Sequence, residues 1–143
     1  MSAAKLYTPE LLALAVELAR HPLDPALPLA GEARSPACGS TIALALAVNE
    51  DRRVERLGMQ VRACAVGQAA AAIFARHAPG CDAPELERSL TALRAWLAGE
   101  GDQPDWPDLA LIAPARDYPG RHGAILLPWM AASSALSTVS APR

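Results

Sequence analysis

Aromatic residues are scarce in this chain, with one phenylalanine, two tyrosines and three tryptophans among 143 residues. Any core must therefore be aliphatic and alanine-rich. Long hydrophobic runs are missing too: "AILLPWMAASSALSTV", from Ala124, is short and interrupted by Pro128 and by serines, so no bilayer span is expected. The opening "MSAAKLYTPELLALAVELARH" lacks a basic leader, carries Glu10 and Glu17, and spaces its apolar residues as an amphipathic helix, which argues against an export signal. Charge of one sign is also absent, since a net −2 leaves no electrostatic footprint for nucleic acid. There is no G-x-S-x-G, Walker or H-E-x-x-H pattern, and no internal repeat, which removes the commonest hydrolase, nucleotide and metalloprotease readings. Three cysteines, an odd number in a chain without an export signal, predict reduced thiols and a cytoplasmic protein. At 52% hydrophobic, residues 1–143 suffice for a single domain with a tail that frays from about 138.

Two of the cysteines sit where patterns change. In "QVRACAVGQAAAAIFARHA", Leu57, Met59 and Val61 alternate with Arg56, Gly58, Gln60 and Arg62, the period of a strand with one buried face. The alanine-rich run that follows reads as helix. Cys64 stands at the junction, where the unpaired N–H groups and positive dipole end of the new helix favour a thiolate, although an ordinary buried thiol fits as well. Cys38 lies in the Pro/Gly turn "SPACGST" before a strand over Thr41 to Val48 whose apolar face is Ile42, Leu44, Leu46 and Val48. "NEDRR" then joins the two strands as a hairpin. Pairing Leu46 with Leu57, Leu44 with Met59 and Ile42 with Val61 sets Cys64 opposite Gly39, so both thiols reach the open end of the hairpin. A metal or cluster pair, a disulfide, or coincidence all remain open on this ground.

The rest of the chain predicts a helix with Thr8 as N-cap and Pro9 at its first position, ending before His21-Pro22. Leu29 to Arg34 reads as a short edge strand. Asp82 and Glu85 form a capping box for a helix with a Leu86, Leu90, Leu93, Leu97 stripe that ends at Gly99. "DLALIA" reads as at most one helical turn. A last helix should begin near Gly123 to Pro128, because proline is tolerated in a first turn. The expected core is Leu11, Leu14, Val16, Leu18, Ile42, Leu44, Leu46, Leu57, Met59, Val61 and the leucine stripe, with Arg56, Arg62, Glu87 and Arg94 exposed.

The stretch "SPACGSTIALALAVNEDRRVERLGMQVRACAVGQAAAA" resembles the core of the U-type iron–sulfur cluster assembly scaffolds, the IscU/SufU/NifU N-terminal family. Those proteins show a P-x-C-G-D turn, a strand, a short polar turn, a second strand and a G-C junction opening a small-residue helix. The resemblance implies an α+β fold, a small three-stranded antiparallel sheet packed against about four to five helices. It makes Cys38 and Cys64 two of the family's three sulfur ligands for a labile [2Fe–2S] cluster or iron. It also implies a non-enzymatic scaffold with a cysteine desulfurase and cluster-accepting proteins as partners, and no nucleic acid or membrane. The departures are specific. Ser40 replaces the family aspartate, Ala63 the junction glycine, and in "RHGAILLPW" Ala124 stands where the third cysteine should be, with Gly123 one residue out of register. His122 is the adjacent candidate ligand; Cys81 lies off the pattern. Two thiolates and one imidazole leave a four-coordinate metal or cluster site short of donors. The resemblance therefore leaves three readings: a divergent scaffold or sulfur acceptor, a fold that has lost cluster chemistry and serves as an interaction or regulatory module, and a zinc-assisted sulfurtransferase.

Overall fold

The structure is a computed structural model that describes residues 6–140. The remaining residues, 1–5 and 141–143, include the start of the amphipathic segment and the end of the expected tail and lie outside the described residues. The element order is helix α1 (Pro9–Glu17), strands β1 (Leu29–Arg34), β2 (Thr41–Val48) and β3 (Val54–Arg62), then helices α2 (Ala65–His77), α3 (Ala83–Leu97) and α4 (His122–Ser140). Short 3-10 segments cover Leu18–Arg20, Leu109–Asp117 and Pro119–Arg121.

The three strands form one antiparallel sheet in the order β1-β2-β3. Its β2–β3 register is the one the apolar pattern dictates: Ile42 faces Val61, Leu44 faces Met59 and Leu46 faces Leu57. Burying one face fixes that choice, since a slip of one residue would turn Ile42, Leu44 and Leu46 into water. At the closed end, Asn49 Oδ1 accepts from the backbone N–H of Asp51 at 2.9 Å and of Arg53 at 3.0 Å, and Arg52 takes φ 62° to complete the turn.

Helix α4 covers the buried face over β1 and β2. It comes so close that a Cβ on Gly31 of β1 would run into the backbone of Ala131, so only glycine serves there. Helix α2 is the centre of the molecule, with every residue from Ala69 to Ala75 buried and α1, α4 and β3 around it. Alanine lets these neighbours approach on all sides. The scarce aromatics nonetheless contribute: Phe74 stacks on Trp106 at 5.6 Å between centroids, and Trp129 meets both edge-on. The core is thus alanine and aliphatic around a small aromatic knot.

Four expectations change. Val16 is 76% exposed because α1 is short and turns only Leu11 and Leu14 inward. Leu18, Leu57, Val61 and Leu90 are half-buried at the margins of the core. The segment after Asp108 is a nine-residue 3-10 run rather than one turn, its Leu109, Ile112 and Ala115 spaced by three so that the eclipsed side of a 3-10 helix is buried. Helix α4 begins at His122, placing Pro128 in its second turn. Pro128 has no N–H for the Ala124 carbonyl, and that turn is held by its packing instead. The Asp82–Glu85 capping box is present as the sequence implies.

Candidate functional site

The turn before β2 is closed by its own backbone: Ser35 N–H donates to the Ser40 carbonyl at 2.9 Å and Gly39 N–H to the Ser35 carbonyl at 2.8 Å. Gly39 adopts φ 72°, a conformation that disfavours any side chain. The result lifts Cys38 to an exposed position while turning the flanking serines inward, Ser35 to 3% and Ser40 to 6% exposure. Both hydroxyls meet the thiol sulfur, Ser35 Oγ at 3.3 Å and Ser40 Oγ at 3.1 Å. These hydrogen bonds, Ser35 first, with the Ser40 backbone and the positive charge of Arg121, hold the Cys38 thiol below its usual pKa.

Cys64 is the N-cap residue of α2, two residues beyond Arg62, which pairs with Thr41. Its carbonyl accepts from Gln68 N–H at 3.0 Å, closing the first helical turn, and Gln68 Nε2 donates to the Ala63 carbonyl at 3.1 Å. The sulfur makes no capping hydrogen bond. The ladder itself ends at the Thr41–Arg62 pair, so Cys64 and the Cys38 turn both follow from the same open end of the hairpin.

The entry of α4 completes the rim. Gly123 packs directly against the Ser35 hydroxyl, where its own Cβ would be. Ala124, 1% exposed, faces the first turn of α2: a Cβ on Gly67 would stand 3.0 Å from its own. Contacts therefore run from Cys38 through Ser35 to Gly123 and Ala124, and on to Gly67 and the turn that Cys64 caps. Arg121 donates to Tyr7 OH at 3.0 Å, tying the same rim to the start of α1.

The other sequence candidates fall elsewhere. His122 is half-buried, and its Nε2 donates to the Arg116 carbonyl at 2.7 Å, leaving only Nδ1 as a free ring nitrogen. Cys81 lies at the closed end of the hairpin, where its carbonyl accepts from Val54 N–H at 2.8 Å. The nine residues of β3, about 30 Å of strand, separate it from Cys64. Burial, followed by Glu85 and Asp82, pushes the Cys81 thiol up. Among the described residues, no three His, Cys, Asp or Glu side chains converge to hold a metal ion. Sequence reading missed Ser35; its place three residues before Cys38 carries no signal until the turn is seen to close.

No family profile and no curated protein sequence matches the chain. Solved structures do. A nitrogen-fixing NifU-like protein (N-terminal) from Brucella abortus superposes with a TM-score of 0.86 at 27% identity, covering 96% of each chain. A protein assigned as an iron–sulfur cluster assembly scaffold for the SUF system from the thermophile Fervidobacterium islandicum gives a TM-score of 0.76 at 17% identity over 94% of this chain and 99% of its own. The second shows shared fold alone; the first adds sequence likeness over nearly the whole length. By its three-stranded sheet, its helical cover and this likeness, the chain has the fold of these NifU-like and SUF-system scaffold structures and resembles the U-type iron–sulfur cluster assembly scaffolds.

Proposed function

We propose that this protein is a divergent U-type scaffold whose primary act is to accept sulfur on Cys38, with Cys64 at the same rim, in partnership with a cysteine desulfurase. The observation that carries this reading is the exposed Cys38 sulfur seated on two buried serine hydroxyls. Sulfur acceptance needs only an accessible thiolate. That thiolate attacks the outer sulfur of the donor's persulfide, the donor S–S bond breaks as the new one forms, and the donor cysteine leaves as a thiolate. The proton stays on the transferred sulfur, and no net oxidation occurs.

A labile [2Fe–2S] cluster or iron is then cargo, held by Cys38 and Cys64 with the missing donors supplied by a partner chain or a small thiol, and passed to cluster-accepting proteins. His122 contributes to it only through Nδ1. Zinc is dropped, because a zinc site needs three or four protein ligands and the described residues do not gather three. The same shortage of donors favours one alternative, an interaction or regulatory module that retains the fold without cluster chemistry. No helix among the described residues is long and apolar enough to cross a membrane, which fits action in the cytoplasm.

The test is to incubate the full chain with a cysteine desulfurase and cysteine under anaerobic conditions and locate added sulfur by peptide mass spectrometry. Sulfur on Cys38, lost in Cys38→Ser, supports the acceptor. No added sulfur, together with no iron or sulfide in anaerobically purified protein, hands the case to the interaction module.

A further inference from the structure

Ser35 and Ser40 are buried as whole residues, at 3% and 6% exposure, and both spend their hydroxyls on one sulfur. Neither hydroxyl has another partner among the described residues. Burial of two polar groups beneath a single exposed atom costs stability unless they are satisfied, and a neutral thiol satisfies them poorly. A thiol has one proton and can donate to one of the two oxygens only. A sulfur without a proton accepts from both.

We infer that Ser35 and Ser40 form a two-donor cradle that stabilises the negative charge developing on the Cys38 sulfur when transferred sulfur leaves it, so that Cys38 releases its cargo to an acceptor thiol without a metal. This rests on the reading of Cys38 as a sulfur acceptor. In the release step an acceptor thiolate attacks the outer sulfur of Cys38–S–SH. The bond between the two persulfide sulfurs breaks, its electron pair stays on the Cys38 sulfur as a thiolate, and the acceptor leaves as R–S–SH with the proton on its outer sulfur. Charge appears on the atom that both hydroxyls already face, which is the arrangement that lowers a barrier without reorganisation.

Two features of the chain support the cradle. Gly123 leaves room for the Ser35 hydroxyl at the entry of α4, so the donor is fixed by packing against a helix rather than free in a loop. Ser40 stands where the family pattern has aspartate. A carboxylate accepts hydrogen bonds and carries the same charge as the departing thiolate, so it would oppose the charge that the serine stabilises.

The experiment loads the full chain with glutathione persulfide in the presence of a chelator, removes the excess, adds dithiothreitol, and follows sulfur loss from each cysteine by peptide mass spectrometry. The wild type should carry sulfur on Cys38 and release it fastest there. Ser40→Ala and Ser35→Ala should each slow release about tenfold, the effect of one hydrogen bond to a charged group. Ser40→Asp should slow it at least as much, whereas Ser40→Thr, which keeps the hydroxyl, should restore it. Because Ser35 also packs on Gly123, Ser40→Ala and its threonine rescue decide the matter if Ser35→Ala misfolds. Equal release from Cys38 in the wild type, Ser40→Ala and Ser40→Asp overturns the cradle while leaving Cys38 as the acceptor. Loading of Cys64 and Cys81 with none on Cys38 overturns the cradle and the acceptor reading together.

Discussion

Gly123 lies against the Ser35 hydroxyl, so the first turn of α4 and the turn carrying Cys38 are one packed unit. A side chain at position 123 has nowhere to go. Gly123→Ala should therefore push Ser35 off the Cys38 sulfur and cost about 1–3 kcal/mol, as overpacking of a filled site does. Urea denaturation would read the cost, and slower alkylation of Cys38 would read the lost hydrogen bond. An unchanged unfolding midpoint would show that the two segments are not in contact.

Leu44 is 1% exposed beneath α4, whereas Val16 is 76% exposed on α1. Leu44→Ala should destabilise the fold by about 2–5 kcal/mol through lost burial and the cavity left behind. Val16→Ala should change stability by no more than about 0.5 kcal/mol, the range of surface substitutions. The pair measured side by side by thermal melting checks which face of each element is inside.

What could be read from the sequence was whatever is encoded by local period and turn chemistry. Alternation in β2 and β3 gave the register, because only one pairing buries Ile42, Leu44 and Leu46 together. Asp82 and Glu85 announced their helix through a short-range capping pattern. Pro128 misled about α4, since a proline's cost inside a helix is a local rule that tertiary packing overrides. The half of the site that stayed hidden depends on long-range approach: Gly123 against Ser35, Gly67 against Ala124, and His122 turned to Arg116. No periodicity records such contacts. The same holds for the ion network around Arg76, whose partners are distant in the chain.

In that network Arg76 binds Glu17 through two nitrogens, each at 2.6 Å, and Asp108 at 3.1 Å, while His77 Nε2 donates to Asp108 at 2.7 Å. It joins α1, α2 and the loop before the long 3-10 segment. Arg76 holds Glu17, and His77 followed by Arg76 holds Asp108, below the usual carboxylate range. Both folded pKa values lie under the unfolded ones, so the stabilisation is fully present above about pH 4.5 and is lost as pH falls through the folded values. Because these groups are partly exposed, Arg76→Met should cost only about 1 kcal/mol at neutral pH. That difference from the wild type should shrink steadily below about pH 4 in acid unfolding curves. A constant difference down to low pH would mean that Arg76 acts through packing alone.

Cys38 and Cys81 are pushed in opposite directions, the first down by the serine hydrogen bonds and the second up by burial. At neutral pH iodoacetamide should therefore label Cys38 well before Cys81, since the thiolate is the reacting form. Peptide mass spectrometry after timed quenching gives the order directly. Raising the pH should speed Cys81 more than Cys38, because Cys38 is closer to full ionisation already. Labelling of Cys81 first would contradict both environments.

Ala124 sits where the resemblance expects a third thiolate, and its Cβ faces the first turn of α2, the turn that Cys64 caps. On the proposed reading, in which Cys38 and Cys64 share a site, replacing it with cysteine adds a soft, charged donor to that site. The site is tight: a Cβ at Gly67 would be 3.0 Å from that of Ala124, and Ala124 is 1% exposed. Ala124→Cys should therefore lower stability by about 1–3 kcal/mol, as a larger side chain does in a filled site. It should at the same time retain more iron per chain than the parent after anaerobic reconstitution with iron and sulfide, followed by visible absorbance and metal analysis. Cys38→Ser or Cys64→Ser in the same background should abolish the gain, which separates a shared site from iron bound adventitiously elsewhere. Gly123→Cys serves as the register control, and its collision with Ser35 should leave it with less iron than Ala124→Cys. If Ala124→Cys folds and holds no more iron than the parent, the rim does not enclose a cluster, and the fold carries sulfur or contacts partners without one.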